Sequence, residues 1–185
     1  LAHNPDVSTL KRYQANQGYV QERGPIPVYV NYVEEAGVPY VNAFFDPEAW
    51  SISLGQADTG DFAYDAETIY HEYTHSVTDS VAHLYYMAAD IYGMIVFPGG
   101  LSEGLSDIMA VAVTGDPDMG EYIIGRNLVN DRVCPEDIVG ESHYDGEIIG
   151  GAGWDIHELI GGPDLEELFY GATTLLTPTG SYAQF

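Results

Sequence analysis

His71-Glu72-Tyr73-Thr74-His75 decides how the rest of the chain is read, because it sets two imidazoles four residues apart with a carboxylate directly after the first. The residues around it, from Asp65 as an N-cap through Ala66 towards Met87, read as one long helix. Residues four apart on a helix stack on one face, so both rings can reach one ion. Glu72 is rotated one step round the helix, where it can take a proton from a water without ligating the metal. Chance matches to so short a pattern occur, so the rest of the site has to be found elsewhere in the chain.

Zinc in catalytic sites takes three protein ligands and a water, with nitrogen ligands at ~2.0–2.1 Å. A second helix, expected over 101–113 after a break at Pro98-Gly99-Gly100, carries Leu101-Ser102-Glu103-Gly104-Leu105-Ser106-Asp107. Glu103 and Asp107 again stand four apart on one face. Glu103 is expected to complete the coordination, and Asp107 to accept the free N–H of a ligating imidazole. The ordinary fate of either carboxylate is a solvated helix face. Here they sit among Leu101, Leu105, Ile108, Met109 and Val111, on a helix that should be well packed.

Working outward, residues 26–33 and 38–45 alternate β-branched and aromatic positions on either side of Glu34-Glu35-Ala36-Gly37, and read as two strands around a turn. A third strand is expected over 51–54. A short helix is expected over 6–16, an irregular stretch to about residue 146, and further helices near 149–160 and after Asp164. Strands first and helices afterwards predict an α+β fold with two lobes, about 1–98 and 99–185, in a single catalytic domain. The chain opens on Leu1 and ends on Phe185, which reads as a piece of a longer precursor.

The pairing of His71-Glu72-Tyr73-Thr74-His75 with Glu103-Gly104-Leu105-Ser106-Asp107 resembles the glutamate-zincins, the clan of thermolysin, and within it the fungalysin-type peptidases. The resemblance runs from about residue 26 to 160. It implies a zinc endopeptidase, secreted, in which metal-activated water attacks a peptide bond with Glu72 as general base. Val41-Asn42-Ala43-Phe44-Phe45 is similar to the family's edge strand, which implies that Asn42 and Ala43 hold the peptide substrate. Tyr86, expected on the metal helix after Thr78-Asp79, is implied to stabilise the oxyanion. His143-Tyr144-Asp145-Gly146-Glu147-Ile148 is similar to the segment carrying the transition-state histidine in fungalysin-like enzymes, which assigns that role to His143. An arginine is implied near the primed subsites, with Arg132 as the candidate and Arg126 in reserve. Two departures stand out: an inserted segment over 87–97, and Thr114 where thermolysin uses a carboxylate for calcium, so that calcium binding stays open.

Composition narrows the partners. The sequence has 29 acidic and 5 basic residues, a net charge of −24. Such a chain repels nucleic acid and anionic membrane, and no apolar run approaches the ~20 residues of a membrane helix. Peptides and proteins remain as substrates. Cys134 is the one cysteine, so no intrachain disulfide forms. Two other classes compete with an enzyme: a module keeping zinc for stability, and an interaction domain of a larger surface protein. Structural zinc sites are closed by four ligands and lean on cysteine, of which this chain has one.

The acidity reads either as an ordinary solvated surface or as adaptation to high salt. Screening shortens charge repulsion from ~10 Å at 0.1 M to ~3 Å at 1 M salt. The melting temperature is therefore expected to rise from dilute buffer to molar salt, with calcium excluded from both. A flat or falling curve removes the high-salt explanation.

Overall fold

A computed structural model of the protein describes residues 24–90, 93–120, 123 and 125–185. The helix expected over 6–16 lies outside the described residues. The fold is α+β. Strands β1 (Val28–Val30), β2 (Ala43–Asp46) and β3 (Ser51–Leu54) form a three-stranded sheet in the order β1-β3-β2. β1 runs parallel to β3, with Val28 opposite Ile52, and β2 runs antiparallel to it, with Ala43 opposite Leu54.

The first two strands therefore do not pair around a turn as expected; both flank β3. Every residue of β3 is buried, so it takes the centre. Between β1 and β2 the chain leaves the extended region, with Asn31 at φ 54° and Gly37 at φ 85°. Ile52 and Leu54 pack with Ala43 and Phe62 beneath the sheet. Two small hairpins follow elsewhere: β4 (Gln56–Ala57) with β5 (Gly60–Asp61), and β6 (Ala88–Asp90) with β7 (Gly93–Ile95). The second is what the inserted segment forms.

Helix α1 spans Ala66–Val81, and Asp65 caps it by accepting from Thr68 N at 2.7 Å. It ends six residues before the expected Met87. Ala82 N and His83 N both donate to Thr78 O, and His83 turns the chain out of the helix with φ 50°. Tyr85 N then donates to Pro178 O at 2.8 Å, tying the segment to the C-terminal part of the chain.

Helix α2 spans Phe97–Thr114, so Pro98-Gly99-Gly100 is its first turn and not a break. Proline is tolerated there because its missing N–H would have had no helical partner. The expected lobe boundary at 98/99 falls inside this turn. Leu101, Leu105, Ile108 and Ala112 of α2 make the main core with residues of two further helices, α3 (Ser142–Ile160) and α4 (Gly162–Thr173).

α3 begins earlier than expected. Glu141 caps it, its carboxylate accepting from His143 N and Tyr144 N, so His143 lies in a helical first turn and not in a loop. α2 and α3 meet on glycines: a Cβ on Gly104 would stand 2.7 Å from Gly146 O, and one on Gly146 would stand 2.9 Å from Glu103 Cβ. That close approach presses the start of α3 against Glu103. Two two-residue strands, β8 (Asp118–Met119) and β9 (Arg126–Asn127), pair antiparallel as the last hairpin. No helix among the described residues is long and apolar enough to cross a membrane.

Candidate metal centre

α1 and α2 lie side by side, and each contributes one face with four-residue spacing. From α1, His71 and His75 point their Nε2 atoms at one another across 3.0 Å. From α2, Glu103 Oε2 stands 3.1 Å from His71 Nε2 and 3.7 Å from His75 Nε2. These three residues are the group among the described ones whose donor atoms could hold an ion, all lying within 4.8 Å of one another. Glu103 Oε2 is buried yet makes no well-formed hydrogen bond, a costly state for a carboxylate unless something else satisfies it. Two imidazole nitrogens and one carboxylate oxygen suit zinc, and an ion at ~2.0–2.1 Å from each nitrogen spans such a gap. The residues fit the metal.

The surrounding charges point the same way. Asp107, 1% exposed, brings Oδ1 to 2.7 Å from His71 Nδ1 and accepts from Arg126 Nη2 at 2.7 Å. Burial raises the Asp107 carboxyl, but Arg126 and His71 outweigh it and hold it below its ordinary range. Burial likewise opposes the charged form of His71. Asp107, and then Glu103, overcome this and push it up to about 10 with only protein groups around it. Glu103 is held well below its ordinary range against its own burial, by the charge of His75 and the close approach of both rings. Positive charge is strongly favoured between these carboxylates and imidazoles.

A cleft of about 410 Å³ opens on this centre. Glu72, 6% exposed, lines it together with both imidazoles. Asn42 and Ala43 line it from the sheet, the first just before β2 and the second opening it. His143 lines it from the first turn of α3, with Nε2 3.4 Å from Glu103 Oε2 and Nδ1 2.8 Å from Glu141 Oε1. Tyr86 also lines the cleft, 62% exposed, but from the segment beyond α1 and not from the helix where it was expected. Its carbonyl is set against the first turn of α2, where a Cβ on Gly99 would come within 2.6 Å of it.

Arg132 is not on the cleft wall. Its Nε pairs with Glu147 at 3.1 Å and its guanidinium lies 5.5 Å over the Tyr144 ring. Arg126, the reserve candidate, lines the cleft. Thr114 spends its hydroxyl on Ala110 O at 3.2 Å, closing the end of α2.

Three polar side chains escaped the sequence reading. Ser102 Oγ and Ser106 Oγ stand 3.0 and 3.2 Å from His75 Nδ1. Their four-residue spacing, in step with Glu103 and Asp107, was the signal that could have found them. Glu141, beside His143, had none, since helix caps favour Ser, Thr, Asp and Asn.

No family model matches the chain. It is 34% identical over 96 residues, half of this chain, to the transglutaminase-activating metalloprotease of Streptomyces mobaraensis, covering 11% of that protein. It is 25% identical over 210 residues to the gelatinase of Enterococcus faecalis (strain ATCC 700802 / V583), covering 98% of this chain and 39% of that protein. The chain thus spans well under half the length of either of these curated relatives. Both are metalloproteases or proteases by name.

Proposed function

We propose that this chain is the catalytic region of a zinc-dependent endopeptidase, and the observation that carries the reading is the convergence of His71, His75 and Glu103 on one point. The similarity to a metalloprotease and a gelatinase supports a peptidase. The finer reading, a glutamate-zincin of the thermolysin clan closest to the fungalysin type, follows from the motif pairing and the cleft. In it His71, His75 and Glu103 hold the zinc, and Asp107 fixes the His71 ring through Nδ1. A bound zinc polarises the scissile carbonyl and makes water acidic near pH ~7.

The remaining steps belong to the protein. A peptide lies extended in the cleft, its backbone against Asn42 and Ala43 as an added strand of the sheet. Glu72 takes the proton of the attacking water and delivers it to the leaving nitrogen. His143 and Tyr86 donate hydrogen bonds to the carbonyl oxygen as it gains charge, each donor worth about 2.7–4 kcal/mol. Glu141 holds the His143 ring through Nδ1, so that Nε2 is turned towards the centre. Arg126 replaces Arg132 as the arginine of the cleft. The setting is extracellular, and the cleft runs between the strand-bearing and helical parts of one domain.

The test couples metal analysis to cleavage of an unstructured peptide. Chelation should abolish cleavage and zinc restore it. His143→Ala should keep zinc and fold, lose ~10²–10³ in kcat, and leave KM nearly unchanged, since its bond matters in the transition state. His157→Ala is the control: that ring stacks on Trp154 at 4.8 Å on the same helix. Cleavage surviving complete metal removal would sink the reading, and loss of zinc in His143→Ala would make that histidine a ligand.

A further inference from the structure

His71 and His75 are braced differently. His71 Nδ1 meets a buried carboxylate, Asp107. His75 Nδ1 meets two hydroxyls from successive turns of α2, Ser102 at 3.0 Å and Ser106 at 3.2 Å. Ser106 is 0% exposed, so its hydroxyl has to find its partner inside the protein. The ring has one N–H to give at Nδ1, and either hydroxyl oxygen can accept it.

We propose that Ser102 and Ser106 are a redundant pair of positioning residues that fix the tautomer of His75, each able to accept its Nδ1–H and so leave Nε2 with its lone pair facing His71 and Glu103. This rests on the reading of those residues as a metal centre. The chemistry explains why hydroxyls serve here. Glu103 and Asp107 already place two carboxylates around the histidines, and Arg126 pairs with Asp107. A third buried carboxylate would add like-charge repulsion and a further desolvation cost. A hydroxyl orients the ring without adding charge. Two of them, one turn apart, keep the acceptor in reach if either rotates away.

The test uses the full chain and measures zinc affinity by competition with a chromophoric chelator. Ser102→Ala and Ser106→Ala should each stay within about threefold of wild type. The double variant should bind zinc ~10–100-fold more weakly, the usual cost of losing a ligand's outer partner. Ser102→Thr combined with Ser106→Ala should restore wild-type affinity, because one hydroxyl returns. In the zinc-loaded protein, nitrogen NMR should show an exchange-protected His75 Nδ1–H in wild type and in each single variant, and fast exchange in the double. A double variant within threefold of wild type overturns the proposal. So does a single variant with the full loss, or a threonine that restores nothing. Wild-type protein that binds no zinc, or Glu103→Ala that keeps it, would overturn the metal centre beneath the proposal instead.

Discussion

Glu72→Gln is expected to hold its zinc and its fold while losing on the order of 10²–10⁴ in kcat, the contribution of a positioned general base. The side chain is 6% exposed and faces the cleft beside both imidazoles, but it is absent from the group whose atoms could share an ion. Glutamine keeps the shape and removes only the ability to take a proton. The loss should therefore fall equally on kcat and kcat/KM, with KM little changed, because proton transfer belongs to the transition state. Metal content by elemental analysis and steady-state cleavage of one peptide give both readouts. A variant with wild-type turnover would move the general base elsewhere, and a variant emptied of zinc would turn Glu72 into a ligand.

Glu103→Ala should give the opposite pattern: zinc is lost, and cleavage with it. Removing this carboxylate leaves two imidazoles where an open catalytic zinc site needs three protein ligands. The affinity loss should exceed the ~10–100-fold typical of an outer partner. The fold should persist, because alanine keeps the Cβ that lies against Gly146. Full zinc occupancy would show that the third ligand lies elsewhere, with Asp107 as the next candidate despite its bonds to His71 and Arg126. The two variants separate binding from chemistry: one keeps the metal without the base, the other keeps the base without the metal.

Part of this centre was legible in the sequence because it depends on local geometry. A helix repeats every 3.6 residues whatever it packs against, so four-residue spacing already stacks His71 on His75 and Glu103 on Asp107. Asp65 likewise announces the start of α1, since a capping bond spans only three residues. The same local reasoning failed where a distant contact overruled it. Periodicity carried α1 on to Met87, whereas the chain turns out at His83 and is held by Pro178 O. Pro98-Gly99-Gly100 looked like a break, yet it opens α2.

The sequence by itself determined that two helices each carry one polar face with metal-binding chemistry. Only the tertiary structure decided how those faces meet. The bond from His71 to Asp107 joins residues 36 apart, and the bond from Arg126 to Asp107 joins residues 19 apart. No local propensity encodes such pairs, which is why Arg126 rather than Arg132 reached the cleft and why two serines became partners of His75. Strand order is of the same kind: β3, buried along its whole length, lies between β1 and β2 although it follows both in the chain. The distance from His143 to Glu103 also depends on packing, through the glycines that let α2 and α3 approach. Spacing along a chain specifies a helix face, whereas the neighbour of that face is chosen by the packing of the whole molecule.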